Sequence, residues 1–139
     1  MKPVFQTTFG EGNGNCHQAA LASVLEMDLD EVPHFMVMEN CWEEMGAWLS
    51  KLGFGYFYMD YPDEDIFIYT SGMHTFNNAF IIASVKTETG SMHSIVMRNG
   101  EVVHDPLNYK KSFGEPERCM VLFPLDPSKF IKVEPCVEA

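Results

Sequence analysis

The chain has 139 residues, 46% of them hydrophobic and 13% aromatic, which is enough for one core of ordinary single-domain size. Twenty acidic against nine basic residues give a formal charge of -11, which repels phosphate backbones and anionic lipid, so neither nucleic acid nor a membrane surface is an expected partner. The opening residues lead from Gln6 into Thr, Gly and Asn instead of the apolar run of a signal peptide, and no stretch approaches the ~20 apolar residues that span a bilayer; a cytoplasmic protein is expected.

Gly10-Glu11-Gly12-Asn13-Gly14-Asn15 is loop chemistry, three glycines with two asparagines. It ends abruptly at Cys16-His17-Gln18-Ala19-Ala20-Leu21-Ala22-Ser23-Val24-Leu25, an uncharged stretch apolar on nearly every side, as expected of a helix buried in a domain. Asn15 is the expected N-cap, which places Cys16 in the first turn. A short helical turn is predicted through Glu31 and Val32 before Pro33, with Asp30 as its cap. A second, amphipathic helix is predicted over residues 40–52, where Trp42, Met45, Trp48, Leu49 and Leu52 recur at three- and four-residue spacings and Gly53 supplies the stop. Both tryptophans are assigned to the core.

From there the period changes to that of strands, predicted over 54–61, 79–85, 92–98, 101–104 and 118–124. Residues 61–78 are polar, aromatic and irregular and read as a loop over a groove; residues from about 125 to 139 read as a loosely held tail. Helices first and an antiparallel sheet second make a single α+β domain over 1–139.

Four cysteines, Cys16, Cys41, Cys119 and Cys136, are scattered without a C-x-x-C pair, so neither a disulfide framework nor a zinc knuckle is suggested. A zinc site drawn from Cys16, Cys119 and two histidines has no ligand spacing behind it, and no metal or cofactor is expected. Cys16 has a different context from the others. It follows a glycine-rich loop that leaves room for a substrate, and it opens a helix whose dipole favours the thiolate. A protonated imidazole beside such a thiol lowers its pKa from ~8.5 into the range ~3.5–7.5.

The partner for that thiol is sought in Ser91-Met92-His93-Ser94-Ile95-Val96-Met97-Arg98-Asn99-Gly100-Glu101-Val102-Val103-His104-Asp105-Pro106, two short strands joined through Asn-Gly. His93 and Asp105 fall at the same open end of this hairpin. With a loop of Asn99-Gly100 alone, Arg98 pairs with Glu101 and Asp105 points to the face away from His93. With a three-residue Arg98-Asn99-Gly100 loop, Met97 pairs with Glu101 and His93 lies across from Asp105. A catalytic pair requires the second, and that register is the expectation. A carboxylate there would fix the tautomer of His93 while the other ring nitrogen faces the thiol.

The other histidines are weaker partners for the thiol, and His104 reads as structural or surface. His17 leaves the helix about 100° away from Cys16, His34 and His74 sit in loop-like surroundings, and His104 faces away from His93. Gly14-Asn15-Cys16-His17-Gln18-Ala19-Ala20 and His93-Ser94-Ile95-Val96 leading to His104-Asp105-Pro106 resemble the papain-like cysteine peptidase superfamily. The likeness is to small phage and bacterial forms similar to bacteriocin-processing peptidase domains, and it covers about a fifth of the chain. The resemblance implies a papain-like fold with Cys16 as nucleophile, His93 as base and Asp105 as the residue that orients it. It also implies a side-chain donor for the oxyanion, for which Gln6 is the candidate and Asn13 and Asn15 are competitors. The expected activity is a thiol-dependent hydrolase, a cysteine peptidase or amidase, acting on an amide-type bond of a protein or peptide. Deamidases, transglutaminases and cell-wall amidases share the triad. The alternative is a catalytically silent scaffold that binds a protein partner through its acidic surface and the aromatic stretch 54–61.

Overall fold

In the computed structural model, which describes residues 1–61, 78–108 and 112–131, the change of period along the chain becomes a change of layer. Among the described residues two α-helices, α1 (Cys16–Leu25) and α2 (Cys41–Leu52), precede five strands: β1 (Phe54–Asp60), β2 (Phe80–Lys86), β3 (Met92–Arg98), β4 (Glu101–His104) and β5 (Arg118–Pro124). The strands form one antiparallel sheet in the order β1-β5-β2-β3-β4, so the last strand inserts between the first two. The architecture is α+β.

Both helices cover one face of the sheet. Ala19, Ala20, Leu21 and Ala22 of α1 are fully buried, and the alanines let the helix backbone approach β3 and β2 closely. Leu21, Met45 and Leu49 fill the layer between the helices and Ile82, Val96 and Met120 of the sheet. Full burial of one such side chain contributes ~1.5–3 kcal/mol. Ala83, Val85, Ile95 and Met97 alternate to the opposite face, together with Ile81, Cys119 and Val121.

Several local expectations are corrected. The short turn is a 3-10 helix over Leu29–Glu31 preceded by Asp28, with no capping side chain; Asp30 is not its cap, and Asp28 takes the Lys2 ammonium at 2.9 Å instead. In α2 only Met45 and Leu49 are fully buried, while Trp42 and Leu52 are 36% and 40% exposed, so Trp42 is not a core residue. Its ring lies over Tyr58 of β1 with centroids 4.4 Å apart, beyond the edge of the packed layer. Gly53 ends α2 at φ 92°, as its position predicts. The start of the expected loose tail is docked: Leu125 N–H donates to the Gly53 carbonyl at 2.9 Å, and Phe130 packs on Phe54 at 5.0 Å. The loop expected over 61–78, including His74, lies almost wholly outside the described residues, as do residues 132–139 with Cys136.

The register of the β3–β4 hairpin is not the one expected. Asn99 and Gly100 take φ values of 52° and 80°, a two-residue turn of the kind Asn-Gly favours, and Arg98 pairs with Glu101 and Met97 with Val102. The next pair is Val96 with His104, which leaves Val103 as an unpaired bulge residue. One extra residue reverses the alternation of faces. Asp105 therefore returns to the face of His93 despite the shorter loop.

Candidate active site

The site forms where the sheet loses its edge strand. β4 ends at His104, opposite Val96, so the outward N–H of Ser94 has no strand to pair with. The first residue of α1 fills that place: Ser94 N–H donates to Cys16 Sγ at 3.4 Å. The sulfur thus lies at the margin of the sheet, beside the residue that follows His93.

His93 Nε2 is 2.7 Å from Asp105 Oδ1. The same oxygen accepts the Leu107 backbone N–H at 3.0 Å, an Asx-turn that fixes the carboxylate before it meets the ring. With Nε2 engaged, Nδ1 is the nitrogen left for the sulfur. Burial opposes charging of the imidazole most strongly, but the bond to Asp105 and the neighbouring Cys16 outweigh it and push the His93 pKa up to about 9. Burial likewise favours the neutral Cys16 thiol, yet hydrogen bonding from His93, the Ser94 N–H and the imidazolium charge together bring its pKa below the ordinary thiol value. Each group makes the charged form of the other easier to hold.

Asn15 occupies the N-cap position of α1 but does not cap it. Its Oδ1 accepts from the Thr7 and Thr8 backbone N–H groups at 2.9 Å, and its Nδ2 donates to Thr7 Oγ1 at 3.1 Å and Gln18 Oε1 at 3.2 Å. Those bonds pin the start of the glycine loop and leave the first N–H groups of α1 uncovered by any side chain. They also occupy Asn15 fully, which removes it as an oxyanion donor. Asn13 is exposed and its carbonyl holds Thr8 and His34. Gln6 is buried in the wall of the cleft with one Nε2 proton on the Thr8 carbonyl at 3.1 Å; the second proton remains for another acceptor, while Oε1 has no partner among the described residues. The chain holding Gln6 is tied to the segment holding Asp105, because Gln6 N–H donates to the Pro106 carbonyl at 3.0 Å and His104 Nε2 donates to the Val4 carbonyl at 2.7 Å. His104 is thereby a structural brace.

Cys16, His93 and Gln6 line one open cavity of about 530 Å³. Two further wall residues were not signalled by sequence reasoning. His17 turns away from the sulfur but still faces the cavity, with Nδ1 3.5 Å from Ser94 Oγ and Nε2 3.4 Å from Met45 Sδ; burial lowers its pKa to about 4 and keeps it neutral. Trp42 was assigned to the core by its spacing, and only its 36% exposure reveals it as a wall. The backbone donor at Ser94 has no sequence signal other than its place after His93. At the other end of the cavity, three hydroxyls converge: Thr87 Oγ1 lies 2.7 Å from Ser91 Oγ and 3.1 Å from Thr89 Oγ1.

Cys119 lies on the sheet face away from the helices, and burial raises its thiol to about 11. Among the described residues no group of three or more His, Cys, Asp or Glu is placed to hold a metal ion, and no helix is long and apolar enough to cross a membrane. Comparison with family models, curated proteins and solved structures finds no match to this chain.

Proposed function

We propose that this chain is a thiol-dependent hydrolase of amide-type bonds, a cysteine peptidase or amidase of papain-like type, with Cys16, His93 and Asp105 as its triad. The observation that carries the reading is the convergence of a helix-opening thiol, held by the Ser94 N–H at 3.4 Å, with an imidazole held by Asp105 at 2.7 Å, in the wall of an open cavity. A buried histidine serving only packing has no need of a carboxylate, and a structural cysteine has no need of a depressed pKa.

The reaction follows from the charges. The Cys16 thiolate attacks the carbonyl carbon, forming the C–S bond and placing negative charge on the carbonyl oxygen. The Cys16 N–H at the head of α1 and the spare Nε2 proton of Gln6 are the donors for that oxyanion. As the intermediate collapses the C–N bond breaks, and the His93 imidazolium gives its proton to the departing amine. Neutral His93 then takes a proton from water, whose oxygen attacks the thioester; the C–S bond breaks, the acid leaves, and thiolate and imidazolium are restored. Asp105 holds the ring throughout and favours its charged form.

The test is alkylation by iodoacetamide near neutral pH, followed by mass mapping. Fast modification confined to Cys16 and slowed at least tenfold by His93→Ala supports the hydrolase. Equally slow modification of all the cysteines would favour the silent scaffold.

A further inference from the structure

The two ends of the cavity differ in chemistry, and the triad assigns them different halves of a substrate. The proton donor to the departing amine is His93, so the leaving group lies at its end, beside Ser91, Thr87 and Thr89. The acyl half then extends the other way, across the helix-covered face of the sheet. There the walls are Met36, Trp42 and Tyr58, with Ile82 and Met120 buried beneath them and His17 beside Trp42 at 6.3 Å.

The exposure of apolar side chains around the cavity is itself informative. Phe9, Met36, Trp42 and Met92 are each at least 36% exposed and all border this one cavity. Large apolar side chains grouped around a concavity mark a recognition site more often than chance exposure does. Glu11 is the one carboxylate on the wall and no lysine or arginine lies there among the described residues. Arg118 stacks on the Tyr58 ring at 4.6 Å, and Asp60 at 3.3 Å already matches its charge. Buried His17 offers a neutral imidazole to this half of the cavity, not a cation. A carboxylate entering it would lose water and gain no counter-charge.

Building on the hydrolase reading, we infer that the acyl residue whose carbonyl meets Cys16 carries a large uncharged side chain, aromatic or aliphatic, seated against Trp42, Tyr58 and Met36, and that acidic residues are rejected at this position. Trp42 and Met36 are then specificity residues. A small residue such as glycine would leave the pocket unfilled.

Three acetyl-glycyl-X-chloromethyl ketones, with X as Phe, Gly or Glu, test this on the whole chain. Labelling of Cys16 is followed by mass, and each rate is divided by the same protein's rate with iodoacetamide. Phe is expected to label about tenfold faster than Gly, with Glu slowest. Trp42→Ala should collapse the Phe-to-Gly ratio towards one. Met36→Lys, at a position 36% exposed where the new ammonium can reach water, should, in the folded variant, move Glu ahead of Gly. Equal rates for the three probes, or an unchanged ratio in folded Trp42→Ala together with an unchanged order in Met36→Lys, would overturn the specificity while rapid, His93-dependent alkylation left the hydrolase standing. A Cys16 slow towards iodoacetamide and all three probes would bring down both.

Discussion

Asp105 Oδ1 lies 2.7 Å from His93 Nε2, although a ladder continued without a bulge from the Arg98–Glu101 pair would send the two side chains to opposite faces. The unpaired Val103 makes the contact possible, and the Asx-turn to Leu107 holds it. Asp105→Asn keeps an oxygen for both bonds and removes the charge. Amide hydrolysis should fall by ~10–100-fold, and the alkaline limb of its pH profile should move to lower pH because the imidazolium has lost its counter-charge. A limb that stays in place would deny Asp105 its role.

The pH dependence of the wild-type chain separates two reactions of the same thiol. Against burial, hydrogen bonding and charge from His93 lower the Cys16 pKa below the ordinary thiol value and His93 is raised to about 9, so each favours the charged form of the other and the thiolate–imidazolium pair is supported until His93 deprotonates. Hydrolysis needs both and should be bell-shaped, declining through about pH 9 as His93 loses the proton it gives to the amine. Alkylation needs the thiolate alone and should not decline there. Stopped alkylation and hydrolysis assays across pH would show whether the limbs diverge; coincident alkaline limbs would contradict the assignment of His93 as the acid.

Gln6→Ala tests the oxyanion donor. Removing one such donor costs ~100–1,000-fold in kcat where the charge develops on a carbonyl oxygen. Alkylation by iodoacetamide forms no oxyanion and should slow far less than hydrolysis. Equal losses in both would point to a collapse of the wall around Gln6 instead.

His17 predicts a stability effect. Burial holds its pKa at about 4, against ~6.5 for an unfolded histidine, so the unfolded chain takes up the proton first. Its contribution is complete above pH ~6.5 and is lost as pH falls towards 4, a change on the order of 3 kcal/mol. His93 runs the opposite way, since its raised pKa stabilises the fold at low pH and that contribution is lost as pH rises through about 9. Urea unfolding of wild type and His17→Gln near neutral pH and again near pH 4.5 should give a smaller acid loss for the variant. Parallel losses would mean that His17 reaches water.

Much of the layout was legible because it depends on short-range pattern. The uncharged alanine and leucine run marks α1, the apolar spacing and Gly53 bound α2, and β-branched runs between turn residues locate β3, β4 and β5 at the residues where they occur. Trp42 was misread for a physical reason: spacing gives the face of a helix but not where the covered layer ends, and the first turn of α2 projects beyond it. Asn15 was misread because an asparagine before a helix has other backbone partners within reach, here Thr7 and Thr8.

The sequence by itself determined the elements, the placing of the β3–β4 turn at Asn99-Gly100, and the candidacy of one thiol, one imidazole and one carboxylate, since each rests on neighbours a few residues away; the length of that turn it left open, and the three-residue loop expected is not the one formed. Only the tertiary structure decided the alignment between them. Whether β4 runs straight or bulges at Val103 depends on how the strand packs and where the chain beyond it must go, and it leaves no local mark in residue type. The early end of β4, which frees the Ser94 N–H for a sulfur 78 positions earlier in the chain, is set in the same way by long-range packing.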